Sequence, residues 1–364
     1  MKAQYKQQRN KGLTLIEIMI ALVISSILML GVMGLFIGNK RIYREQNAMG
    51  RLQENARFAM DMMVRDIRKA GYAGCADDIA GVNNTLVNGG TETNLVNFKN
   101  IIEGSENGAT NWLPSASNER TGSMLAGSDA ITLRYFEPIS NITVSGTMAN
   151  GNTGTAIPVT CTPDCASNAT VTENLAISDC GVADIFSVTA VNTNSLEHTG
   201  GALSKGYDTT AQVSRYVTTR YYIANGANDK SGNPIPTLFR YAFDQDKEDW
   251  DTDTNKLEYI AQPQALIEGI ENLQILYGVD NNNDAIANSY VNASGVAAAG
   301  GWDNVVSVRL AILARTVNPD ASAEPDTNGY NLLGTDVYTT GAPPNDKYRR
   351  RIFSSTVQIR NRSQ

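Results

Sequence analysis

The chain has 364 residues, 42% of them hydrophobic, with a formal net charge of −7. That length allows one large domain or two small ones, each with a packed core. The acidic balance argues against a general nucleic-acid binder, which carries a basic face. No Gly-x-Ser-x-Gly, Walker loop, His-Glu-x-x-His or Rossmann glycine set occurs, so no enzyme class is signalled.

The chain opens with Lys2, Lys6, Arg9 and Lys11 and no acidic residue. From Leu13 to Gly38 the only formal charge is Glu17. A run of this length fits a membrane-spanning helix, which needs about 20 apolar residues. The upstream cations place the N-terminus in the cytoplasm and everything after Arg41 on the far side of the inner membrane. Glu17 is the informative residue. A carboxylate in lipid is costly and is a functional candidate by default, although one at the headgroup boundary costs little.

A basic leader, Gly12, an apolar residue and then Glu at the fifth position after the Gly resemble the class III signal of type IV pilins and pseudopilins. The resemblance implies that a prepilin peptidase cuts between Gly12 and Leu13 and methylates Leu13. The family usually has Phe there; Leu is an apolar departure. The resemblance also implies that Glu17 meets the N-terminal amine of a neighbouring subunit. In a low-dielectric bundle an ammonium and a carboxylate each need a partner, and each serves as the other's. Loss of the four leader cations takes the formal charge to −11.

After Asn39-Lys40-Arg41 the helical pattern continues. Leu52, Ala56, Ala59, Met60, Met63, Ile67 and Ala70 recur at spacings of three and four, one apolar stripe, and charged residues occupy much of the rest. Gly71 is a natural stop. A continuous helix from Leu13 to Ala70 is ~87 Å long. Its second half is the spine of a globular domain. Gly31, Gly34 and Gly38 each weaken the helix by about 1 kcal/mol relative to Ala, while Gly34-x-x-x-Gly38 offers a close helix-packing face.

Gln53 to Met60 (Q-E-N-A-R-F-A-M) and Asp66 to Cys75 (D-I-R-K-A-G-Y-A-G-C) narrow the resemblance to PilW-type minor pilins. From Ala76 to about Gly127 the composition is that of a loop, with short extended pieces such as Thr85-Leu86-Val87. Strands are predicted over 129–136, 139–144 and 185–191, and over 214–224 paired with 237–243 around a Gly/Asn/Pro turn. Asn150 to Asp179 is Gly/Thr/Asn-rich. Gln264 to Asp280 (Q-A-L-I-E-G-I-E-N-L-Q-I-L-Y-G-V-D) resembles a segment of these minor pilins and of J-type pseudopilins that leads into a strand. Further strands are predicted over 304–315 and 348–360. In the first of these Val305, Val308, Leu310 and Ile312 face inward and the alternation slips near Ser307. The Tyr-Arg-Arg-Arg-Ile-Phe run at 348–353 also resembles PilW-type chains. Stretches 281–301 and 318–344 read as long loops. The segment 77–212 carries none of these resemblances.

Cys75, Cys161, Cys165 and Cys180 all follow the apolar segment. An even count in an exported chain favours two disulfides, with three possible pairings. A zinc site is the alternative, but Cys161-x-x-x-Cys165 has no second close pair. Asp280, Asn282 and Asp284 alternate like the opening of a calcium loop. Ala285 stands where such loops want Gly and Val291 where they want Glu, so the reading is a polar loop without metal. The acidic run Asp244, Asp246, Asp249, Asp251 and Asp253 reads as a solvated loop. His198, beside Glu197, reads as a surface residue. Arg349, Arg350 and Arg351 read as a sheet-edge or subunit contact.

The expected fold is α+β: a long N-terminal helix packed on a mainly antiparallel sheet domain. The segments are a leader at 1–12, a membrane or filament-core helix at 13–38, a spine helix at 39–71 and a β-rich domain at 72–364. The resemblance implies a non-catalytic minor pilin without cofactor, part of a tip or initiation complex for the type IV pilus. It implies prepilin peptidase, other minor pilins, the major pilin and a tip adhesin as partners, and so a link to adhesion and twitching. The implied location is the inner membrane and then the pilus, with no nucleic acid involved. A minor pseudopilin of a type II secretion system, a membrane-anchored periplasmic binding module and a DNA-uptake pilin are the competing readings.

Overall fold

The computed structural model describes residues 14–76, 81–84, 86, 98–106, 124–148, 154–171, 173–199, 203–242, 263–320 and 323–362, and the backbone alone of 243, 248–251 and 256–259. Helix α1 (Leu15–Lys69) runs 55 residues, roughly 83 Å at 1.5 Å per residue. A capping box starts it. The Thr14 side chain accepts from the Glu17 N–H, and Glu17 Oε2 accepts from the Thr14 N–H at 2.9 Å. The chain leaves the helix at Gly71, in a left-handed conformation (φ 75°) that suits glycine. The Gly71 N–H then donates to the Arg134 carbonyl and the Phe136 N–H to the Tyr72 carbonyl, tying the helix exit to a strand.

Every residue of the predicted stripe, from Leu52 to Ala70, is buried. Each large member contributes about 1.5–3 kcal/mol by leaving water. The first half of the helix is the opposite case: its apolar window is entirely unburied within the chain.

The strands follow in order: β1 (Val82–Asn84), β2 (Ile102–Ser105), β3 (Ala130–Pro138), β4 (Ile142–Val144), β5 (Ala156–Cys161), β6 (Asn174–Ser178), β7 (Ala183–Ser187), β8 (Ala190–Val191), β9 (Ser195–Glu197), β10 (Gln212–Asn228), β11 (Pro234–Phe243), β12 (Glu248–Asp251), β13 (Lys256–Tyr259), β14 (Gln264–Glu268), β15 (Ile270–Val279), β16 (Ser289–Val291), β17 (Val305–Arg315), β18 (Tyr330–Leu332), β19 (Thr335–Tyr338) and β20 (Arg350–Gln358). A one-turn helix, α2 (Ala293–Val296), precedes β17. The organising strand is β10. It pairs with β3 on one side, and with β6 and then β11 on the other, which carries the sheet out to β14 at one end and β7 and β1 at the other. A second sheet has the order β16-β15-β17-β20. All these pairings are antiparallel except β1 with β7. The main core lies between the spine helix and the two sheets. It joins Met63 and Ile67 to Leu133, Ile223, Leu273 and Leu310.

Several boundaries differ from the sequence expectation. The 185–191 run breaks after Ser187, because Val188 and Thr189 turn their N–H groups to Glu173 and Glu197. The 264–280 segment is two strands, not one. Gly269 separates them at φ +83°, where an added Cβ would stand 2.6 Å from the Arg315 carbonyl oxygen. The slip near Ser307 is a β-bulge: Ser307 faces Gly278 while Val305 faces Val279, leaving Val306 extra. Val305, Val308, Leu310 and Ile312 are all buried.

The expected loops hold structure. Stretch 281–301 contains β16 and α2, and 318–344 contains the β18–β19 hairpin, whose Leu332 packs on Ala311 and Leu313 of β17. Asn150 to Asp179 contains β5 and β6. With β4, β8 and β9 they enclose a second core around Ile157, Val159, Ile177, Phe186 and Leu196. These strands are short and set in a Thr-, Asn- and Gly-rich stretch, so their periodicity does not rise above that of loops. Of the expected piece 85–87, Thr85 and Val87 lie outside the described residues, as do Asp244, Asp246 and Asp253 of the acidic run.

Arg350 is not the surface contact that its neighbours suggest. Its guanidinium is buried at the start of edge strand β20, bonded to both oxygens of Glu271, to Asp346 at 2.6 and 2.7 Å and to Asp326 at 3.3 Å. Arg349 pairs with Glu45 of α1 at 3.3 Å, and Arg351 stays exposed. Burial pushes the Asp326 and Asp346 carboxyls up, but donors outweigh it: Tyr330, Asn328 and Arg350 for the first, and Arg350 for the second. Both end below the usual carboxylate range. Groups held low stabilise the fold above their unfolded value and lose that contribution as pH falls through the folded one. These two carboxyls are therefore expected to leave the thermal midpoint unchanged from neutral pH down to about 4, the ordinary carboxylate value, and to lower it below that, while buried His198, whose pKa is lowered, lowers it gradually below about 6.5. A midpoint that rises on acidification, followed by circular dichroism, would sink this account.

Candidate assembly site

The N-terminal helix is the candidate site, and its two halves differ in what covers them. From Leu15 to Ile37 the large apolar residues are 48–76% exposed. Their backbone groups are satisfied within the helix. Ser25 and Ser26 turn their hydroxyls onto the carbonyls of Leu22 and Val23 at 3.0 and 2.8 Å. A helix with its own polar groups paired suits an apolar environment. Gly31, Gly34 and Gly38 have open space where a Cβ would stand, so none of the described residues occupies the Gly-x-x-x-Gly face.

Glu17 lies on the first turn and spends its carboxylate on Thr14, accepting from both the N–H and the hydroxyl at 2.9 Å. Gly12 and Leu13, the expected processing positions, lie outside the described residues.

The far end of the helix is held by contacts that the sequence pattern did not signal. Asp66 sits on the buried side and accepts from the Tyr221 hydroxyl at 2.5 Å. Burial, and then the Asp66 charge, push that phenol far above its ordinary value. The Ala70–Cys75 run is a folded link. Gly74 has φ +75°, and an added side-chain carbon would meet Ser178. This brings Cys75 to Cys180, in the turn between β6 and β7, and the two form a disulfide across 105 residues. Cys161 and Cys165 form the second disulfide.

Other candidates take structural roles. Asp280 accepts from the N–H groups of Asn282, Asn283 and Ala285 at 2.7–3.0 Å, so its carboxylate anchors a turn. Asn282 donates to Asp284 at 3.0 Å. Among the described residues no group of three or more His, Cys, Asp or Glu side chains is placed to hold a metal ion. His198 is buried rather than on the surface, with its ring against Phe186 and Nδ1 on the Thr199 carbonyl at 2.9 Å. Burial lowers its pKa.

Comparison with known protein families agrees with both ends of this description. The prokaryotic N-terminal methylation motif matches residues 7–33, the span that holds Gly12, Leu13 and Glu17. The chain is thus a prepilin-like protein with a membrane-anchoring helix. The family described as Type IV Pilus-assembly protein W matches residues 220–361, from mid-β10 to the end of the second sheet. Together the two matches support a PilW-type pilin, a minor pilin related to the type IV pilus. No curated protein matches it.

Proposed function

We propose that this protein is a non-catalytic minor pilin that joins a tip or initiation complex for type IV pilus assembly. The observation that carries the reading is the division of one helix: its spine half is buried in the chain's own core, while its apolar half is covered by none of the described residues. Such a half needs lipid first and other helices later. The segments are a leader at 1–12, an anchor at 13–38, a spine at 39–71 and a domain at 72–364. The leader orients the precursor with its N-terminus in the cytoplasm. Prepilin peptidase cuts between Gly12 and Leu13 and methylates Leu13. The helix then exchanges lipid for the helices of other minor pilins and the major pilin, with Glu17 pairing to an amine, and the domain reaches the cell surface, where a tip adhesin is a further partner.

The test is the mass of the N-terminal peptide from membrane-extracted protein, in cells with and without prepilin peptidase. The expected peptide starts at methylated Leu13 and appears only with the peptidase. A peptide retaining Met1 to Gly12 in both strains would make the segment a plain anchor and remove the pilin reading.

A further inference from the structure

We propose that the cleft between the spine helix and β14 docks a segment of a partner protein that presents a lysine or arginine beside an apolar side chain. The cleft, about 520 Å³, is lined by Glu54, Asn55 and Phe58 of α1, by Thr237 of β11 and by Leu266 and Glu268 of β14. Phe58 is 53% exposed, the one large apolar side chain left so between Arg44 and Lys69. Glu54 and Glu268 flank it, both exposed. Neither carboxylate has an ion-pair or hydrogen-bond partner among the described residues. One bond joins the two walls: Asn55 Nδ2 donates to the Glu268 carbonyl at 3.1 Å, linking helix to strand.

An aromatic face between two unpaired carboxylates recognises a cation, by ring quadrupole and by charge. The cation's stem gains apolar contact with Phe58 and Leu266. β14 is the last strand of its sheet, and beyond it no strand pairs among the described residues, which favours an extended segment over a helix. The cation belongs to a protein rather than a lipid headgroup. Phe58 lies 20 residues past Gly38, the end of the apolar run, or roughly 30 Å along the helix, beyond the headgroup layer. This inference goes beyond the assembly reading and does not depend on it.

The test is photo-crosslinking in the full chain in its native membrane, with p-benzoylphenylalanine in place of Phe58 and the link mapped by mass spectrometry. The expected link joins a protein segment in which Lys or Arg neighbours an apolar residue. Glu54→Lys with Glu268→Lys is expected to cut the yield about tenfold, equivalent to ~1.4 kcal/mol, with an unchanged melting midpoint. Glu54→Gln with Glu268→Gln, which adds no repulsion, is expected to fall between. A link only to lipid, a link to a segment without a cation (a second copy included), no link, or a yield indifferent to charge reversal would each overturn the proposal. The N-terminal peptide mass reports on processing separately.

Discussion

Glu17→Ala is expected to leave cleavage after Gly12 intact and to reduce assembly by roughly a hundredfold or more, because an amine left unpaired in a low-dielectric bundle costs about 3–5 kcal/mol. Within the chain the carboxylate has only a local role, the capping box with Thr14. Loss of that cap costs about 0.5–2 kcal/mol at one end of a 55-residue helix, too little to unfold it. Glu17→Gln separates the two roles. A Gln completes a capping box as Glu does but brings no charge. Gln is therefore expected to fail as Ala does, with counts of surface pili and of processed protein as the paired readouts. Normal pili with either variant would remove the Glu17–amine pairing. Normal pili with Gln alone would assign Glu17 to the cap.

Cys75→Ser with Cys180→Ser is expected to cost more stability than Cys161→Ser with Cys165→Ser. Chain-entropy reasoning gives ~4.7 kcal/mol for closing a loop of about 100 residues and ~2 kcal/mol for one of about 5. The two bonds span 105 and 4 residues respectively. The long bond also anchors the end of the helix exit to the turn between β6 and β7, so its loss frees Cys75 there while the Gly71 and Tyr72 bonds to β3 remain. Urea denaturation of each variant, read by fluorescence under non-reducing conditions, checks the ranking. A larger loss from the 161–165 pair would mean that the second core, not the long loop, limits stability.

The helix was legible in the sequence because its signals are local and repeated. The stripe from Leu52 to Ala70 occupies one side of a 3.6-residue period, and burial follows it residue by residue. The strongest strands, 130–138, 212–228 and 305–315, stand out for the same reason: long runs of β-branched and aromatic residues. Even the bulge at Val306 left a trace, as a slip in alternation. Strands β5, β6 and β9 left none, since strands this short, set in a Thr-, Asn- and Gly-rich stretch, look like a loop until a partner pairs with them.

What the sequence determined by itself is therefore the apolar span, the basic residues before it, the Glu17 spacing, the spine stripe and the α+β class, all properties of neighbours along the chain. What only the tertiary structure decided is which cysteines meet, why Asp66 sits on the buried side, why Arg350 is inside and Arg351 outside, and that His198 is buried. The physical reason is common to all of them. The Tyr221 hydroxyl that satisfies Asp66 lies 155 residues away, and Glu271, which pairs with Arg350, lies 79 residues away. A buried polar group is stable only when its partner arrives, and no local pattern records a partner at that distance.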